Sequence, residues 1–258
     1  MEPPDLRDPL TRARWGRKTR AYCVHVLTAT GVVFAFLAMK EVASAAPDPR
    51  WVFGWLAIAV LIDAADGPLA RLWNVKLYAG RIYGGLIDNI VDYLTFTFIP
   101  LMLVWRMDWL PGLDGLWVVL AMMASLFGFS NTTAKQAESG FFLGFPSYWN
   151  VVAYYTGLLA TLYGAVGQGV ALGCVLLFSV LTVLPVRFIY PNRAPAPWQP
   201  PIIGGALLWL CLLLLILPAF PMLPAWAGPW LFWLSLVYPA FYFGLSGWLD
   251  WRDRGLAL

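Results

Sequence analysis

Asp63-Ala64-Ala65-Asp66-Gly67-Pro68-Leu69-Ala70-Arg71 and, after twelve intervening residues, Gly84-Gly85-Leu86-Ile87-Asp88-Asn89-Ile90-Val91-Asp92 form the stretch on which the fold turns. Four carboxylates lie at or within apolar segments of a chain that is otherwise poor in charge. Sixty per cent of its residues are hydrophobic, 12% are charged, and the mean hydropathy is +0.69. A soluble domain carries about twice that charged fraction. The class is therefore an all-α integral membrane protein, and ionisable groups at membrane depth are costly enough to mark a working site.

A spanning helix needs about 20 apolar residues. Eight segments meet that need, near 21–40, 51–70, 85–105, 114–134, 147–166, 168–188, 202–220 and 229–248. The second and fourth are the least apolar and are expected to face a site. Joints fall at the Pro/Gly-rich stretches 47–49, 111–114, 191–201 and 218–229. The first 20 residues are polar and basic, unlike a signal peptide, and are expected to form a short interfacial helix.

Of the 17 Lys and Arg, all but Lys40, Arg50 and Arg106 fall on one side of this arrangement. The positive-inside rule makes that side cytoplasmic, with both termini and the aspartate-bearing connection. Asn131-Thr132-Thr133 matches a glycosylation sequon on the cytoplasmic side, a chance match. Cys23, Cys174 and Cys211 lie far apart in apolar segments, without metal-ligand spacing.

Residues three, four and seven apart share a helix face. Asp63, Asp66, Gly67 and Ala70 are thus expected to project together from the end of span 2, and Gly84, Asp88 and Asp92 to line one stripe of span 3. The short connection makes these spans antiparallel neighbours and brings the carboxylates together. Four negative charges so close require protonation or neutralisation by divalent cations. Hard oxygen ligands favour Mg²⁺ or Mn²⁺, and two such ions form the arrangement used in phosphoryl transfer. Gly67 and Gly84 leave room for close approach, and Arg71 offers a fixed charge to phosphate. A structural ion-pair cluster is the competing reading, but Arg71 and Arg81 could offset only two of the four aspartates.

The pattern D-x2-D-G-x2-A-R-xn-G-x3-D-x3-D resembles the signature of the CDP-alcohol phosphatidyltransferases. The gap from Leu72 to Tyr83 is longer than in most of that family and is similar to the branch that condenses CDP-diacylglycerol with free choline. V-H-V-L-T-A-T-G in span 1, G-F-P-S-Y-W-N before span 5 and R-F-I-Y-P-N-R after span 6 carry the same likeness. The resemblance implies a six-helix catalytic core over 21–193, after a basic segment 1–20, with two peripheral helices over 194–258. It implies that Asp63, Asp66, Asp88 and Asp92 hold the metals, and that Asp63, Gly67, Ala70, Arg71 and Gly84 seat CDP. Asp92 would be the general base, and phosphatidylcholine and CMP the products. A bacterial inner-membrane location and a homodimer follow from the same likeness, with no nucleic-acid partner.

Choline offers no N–H, so aromatic faces and anionic neighbours must hold it. Phe141, Phe142, Phe145, Tyr148, Trp149, Tyr154 and Tyr155 crowd one cytoplasmic connection and the start of span 5, with Asn150, Tyr93 and Tyr190 as further candidates. An interfacial aromatic belt explains the same residues. His25 and Thr28 resemble the polar pair that the family carries on its first helix. Arg187 and Arg193 could bind lipid or substrate phosphate, or serve topology alone. Two rival functions are the same chemistry with serine, glycerol phosphate or inositol as acceptor, and a cation- or proton-coupled transporter.

Overall fold

The computed structural model describes residues 9–131, 135–136, 140–191, 194–195 and 197–255. Helix α1 (Pro9–Val42) runs unbroken, so the interfacial helix expected before span 1 is instead, from Pro9 on, the first turns of that span. Helix α2 (Pro49–Leu72) returns antiparallel to it. Its start is set locally: the Asp48 side chain accepts from the Arg50 backbone N–H at 3.0 Å, and Pro49 occupies the first turn, where no N–H is needed. A short helix α3 (Val75–Tyr78) bridges to α4 (Gly84–Asp92), which continues through a π-helical turn (Tyr93–Phe98) into α5 (Ile99–Arg106).

Helix α6 (Asp114–Ser130) is shorter, and α7 (Trp149–Val183) is two arms. Gly164, at φ 54° and ψ −134°, breaks the helical ladder there, and only a residue without Cβ takes that conformation without strain. The chain doubles back: Phe145 N–H, before the first arm, bonds Leu181 C=O near the end of the second at 2.9 Å. The fifth and sixth expected spans are therefore the two sides of one helical hairpin. Helices α8 (Gln199–Ile216), α9 (Trp230–Ser235) and α10 (Val237–Gly255) follow. Five of these helical runs are long and apolar enough to cross a membrane, the α7 hairpin counting as one.

The connections at the site end are not plain loops. Strands β1 (Lys135–Gln136), β2 (Phe141–Leu143) and β3 (Arg187–Ile189) form a small antiparallel sheet in that order, with Phe141 opposite Ile189 and Leu143 opposite Arg187.

One apolar core extends from Ala35 and Ala38 in α1 through Leu101, Trp149 and Leu158 to Ile202, Leu231 and Leu249. Spans 7 and 8, expected as peripheral additions, share this core. Tyr154 and Tyr155 donate their hydroxyls to Leu213 C=O at 2.8 Å and Ser235 C=O at 2.7 Å, and Trp209 Nε1–H donates to the Tyr155 hydroxyl at 3.0 Å. A buried phenol needs such a partner, so the last helices satisfy groups that the first six leave buried. A second, small cluster of Ala21, Val24, Val75 and Ala79 seats the α2–α4 connection against α1.

Candidate active site

The last turns of α2 and the whole of α4 meet at one end of the bundle. Asp88 and Asp92 lie one turn apart on α4, and Asp63 faces them from α2. One carboxylate oxygen from each lies within 4.8 Å of the others, and all three residues are half-buried. At that separation each pair repels by at least about 3.5 kcal/mol for an effective dielectric near 20. An octahedral Mg²⁺ site sets its ligand oxygens about 3 Å (cis) to 4 Å (trans) apart. The triad fits a single hard cation after small side-chain adjustments.

Asp66 stands apart from this triad. It is buried, and Thr28 Oγ1 of α1 donates to its Oδ2 at 2.6 Å. Four carboxylates were expected to converge; three do, because Asp63 and Asp66, three residues apart, sit about 60° apart around the helix. Pro68 then removes the N–H that would bond the Ala64 carbonyl, weakening the ladder beside the site.

His25 and Thr28 do lie beside the aspartates, but they act on backbone and carboxylate. The buried His25 has Nε2 3.4 Å from Ala79 C=O. Its ring abuts Gly84: a Cβ there would come within 2.6 Å of Cε1 and 2.8 Å of Nδ1. Gly84, expected to seat the nucleotide, is thus required by helix packing in the first instance. Ala70 likewise packs into the small cluster with Val75 and Ala79. Gly67 and Arg71 remain suited to a polar ligand. Arg71 is exposed, and its Nη1 lies 3.7 Å from where a Gly67 Cβ would be.

Directly after Asp92 the helix widens into the π-turn, its register marked by Ile99 N–H bonding Leu94 C=O. Pro100 supplies a cause: its ring clashes with the carbonyl four residues back, that of Phe96, and a wider turn relieves the clash. Sequence reasoning read 85–105 as uniform helix; Pro100 was the available signal.

The aromatic candidates separate. Trp149 is fully buried, its Nε1–H donates to Ser125 Oγ at 2.6 Å, and its ring packs edge-on to Phe145. Its ring is packed into the core, away from any open face. Asn150 Oδ1 accepts from Val151 N–H at 2.9 Å, a helix-start contact. Tyr93 turns toward α6, edge-on to Phe129, with its hydroxyl 3.4 Å from Met122 C=O. Tyr148 stays with the site: it is half-buried, and its ring lies 6.3 Å from that of Phe96, one turn past Asp92.

Arg187 is held by the protein itself. Its Nε bonds Asp250 Oδ1 at 2.5 Å, and its guanidinium lies 5.0 Å from the Phe141 ring centre. That pairing ties the guanidinium to α10 within the protein. Arg193 lies outside the described residues, as do Thr132 and Thr133 of the sequon. Asp250 and Ser125 were missed; the signal for Asp250 was a carboxylate four and eight residues beyond Ser246 and Tyr242 on one helix face.

Fold and site together define a polytopic α-helical membrane protein whose carboxylates gather at one end of the bundle, beside an exposed arginine. No protein-family model matches the chain, and no solved structure does. Curated relatives do. The chain is 33% identical over 240 residues to phosphatidylcholine synthase of Pseudomonas aeruginosa, covering 92% of this chain and 94% of that one. It is 35% identical to the protein of the same name from Mesorhizobium japonicum, over 72% and 66% of the two chains. The Legionella pneumophila protein of that name is 36% identical, over 67% and 66%. The chain belongs to the phosphatidylcholine synthase family and is a phosphatidyltransferase of phospholipid biosynthesis.

Proposed function

We propose that this chain transfers the phosphatidyl group of CDP-diacylglycerol to free choline, releasing phosphatidylcholine and CMP. The observation that carries the reading is the convergence of Asp63, Asp88 and Asp92 on one point. Asp92 takes the proton from the choline hydroxyl, because an alcohol is a poor nucleophile until a positioned base accepts that proton. The choline oxygen bonds to the phosphorus bearing diacylglycerol, and the bond from that phosphorus to the CMP oxygen breaks in line. Arg71 faces the diphosphate, with Gly67 leaving space for it. Asp63, Asp88 and Asp92 would hold Mn²⁺ or Mg²⁺, which when bound offsets charge on the phosphoryl oxygens and the leaving CMP. A second ion would draw on Asp66, whose carboxylate Thr28 already orients.

The reading includes a bacterial inner membrane, with both termini and the aspartates on the cytoplasmic face, supported by the one-sided distribution of Lys and Arg. It also includes, by family likeness, a homodimer and the six-span catalytic core. The test is CMP release by purified protein given CDP-diacylglycerol, Mn²⁺ or Mg²⁺, and choline, serine, glycerol phosphate, inositol or no acceptor. Release that needs both metal and choline is expected. Faster release with another alcohol would overturn the acceptor.

A further inference from the structure

The last helix reaches the site through a polar stripe. Tyr242, Ser246 and Asp250, at steps of four, share one face of α10, and each bonds β3. The Tyr242 hydroxyl donates to Ile189 C=O at 2.8 Å, Ile189 N–H donates to Ser246 Oγ at 3.2 Å, and Asp250 holds Arg187. Both backbone groups of Ile189 are thereby fixed from α10. The next residue is Tyr190, whose N–H bonds Gly140 C=O at 2.9 Å and so ties it back to β2. Strand β2 leads within five residues to Tyr148.

A mostly buried ion pair adds little net stability, since desolvation cancels most of its attraction; its best-attested use is to fix register. Here the register at stake is that of β3. Phe243, the neighbour of Tyr242, stacks with Phe178 at 5.4 Å and with Phe145 at 6.4 Å, so the same helix also braces the segment that carries Tyr148.

We propose that Asp250 is a positioning residue for the acceptor: by holding Arg187 and β3 it sets Tyr190 and Tyr148 as an aromatic wall beside the carboxylates, and that wall receives a quaternary ammonium group. The inference rests on the choline reading and adds to it the residues that recognise the cation and a task for the last two spans. Phenol ring faces attract such a cation, and the aspartates add long-range attraction. The Tyr148 ring lies 6.3 Å from that of Phe96, one turn past Asp92, and Tyr190 is tied to β2, five residues before Tyr148.

The experiment uses the full chain in detergent micelles, following CMP release with choline varied at saturating CDP-diacylglycerol, and then the reverse. Asp250→Asn is expected to raise the choline KM about tenfold, the scale of a desolvated cation–π contact, with the CDP-diacylglycerol KM held within about twofold and Asp250→Glu restoring most of the loss. Tyr190→Leu should raise the choline KM similarly, while Tyr190→Phe, which keeps the ring, should not. If Asp250→Asn does not fold, Asp250→Glu and the two Tyr190 variants decide. Equal rises in both KM values, or an unchanged choline KM in Tyr190→Leu, would overturn the proposal alone. Wild-type protein that ignores choline but answers to another alcohol would overturn the acceptor reading and the proposal with it.

Discussion

Gly84→Ala separates two roles for one glycine. The added Cβ would lie 2.6 Å from His25 Cε1, where carbon–carbon contacts need about 3.5 Å. His25 cannot yield freely, because it is a buried ring between α1 and the Ala79 carbonyl. Relief therefore requires α4 to shift by about 1 Å, and Asp88 and Asp92 ride on the same nine-residue helix. Overpacking of this kind costs about 1–3 kcal/mol of stability. A 1 Å displacement of catalytic groups costs about a hundredfold in rate, equivalent to about 2.7 kcal/mol. We expect kcat to fall about a hundredfold in CMP release, with the thermal midpoint also lowered. The double variant His25→Ala with Gly84→Ala opens the space the methyl needs and should recover at least about tenfold of that loss. If the double variant is as poor as Gly84→Ala, and the defect lies in the KM for CDP-diacylglycerol, then Gly84 serves the nucleotide and the packing argument is wrong.

Asp92→Asn should lower kcat by about 10²–10⁴-fold, the usual worth of a general base, while metal-dependent binding of CDP-diacylglycerol, followed by ligand-induced stabilisation, persists; near-normal turnover would remove Asp92 from that role. Thr28→Val takes a hydroxyl from a buried carboxylate, a charged hydrogen bond worth about 1.5–3 kcal/mol. It should raise the Mn²⁺ concentration needed for half-maximal rate, and an unchanged metal titration would show that Asp66 does not need that support. Trp149→Phe removes the bond to Ser125 and should lower stability by about 1–2 kcal/mol while moving the choline and CDP-diacylglycerol KM values equally; a selective rise for choline would restore Trp149 to the acceptor site.

The limits of what sequence could show differ from residue to residue. Asp88 and Asp92 were legible because a four-residue step puts two side chains on one face of any helix. Their meeting with Asp63 was legible because twelve residues permit little but an antiparallel return. That Asp66 sits apart from the other three was not legible, because three residues is less than a full turn and the partner that bonds its carboxylate, Thr28, lies 38 residues away on α1. Trp149 and Tyr148 are neighbours of like composition, yet one faces the core and the other the site. No pattern in a lone chain distinguishes them, since the choice depends on where Ser125 of α6 and Phe96 of the π-turn lie.

Composition and periodicity by themselves determined the solvent, the helical class, the uneven spread of positive charge and the carboxylate pattern, because each follows from local chemistry repeated along the chain. Only the tertiary structure decided that α7 is a hairpin closed at Gly164, that Gly84 makes way for His25, and that Arg187 belongs to Asp250. The physical reason is common to all three. They depend on atoms far apart in sequence, or on one backbone angle, and close packing fixes these only after every helix has found its neighbours.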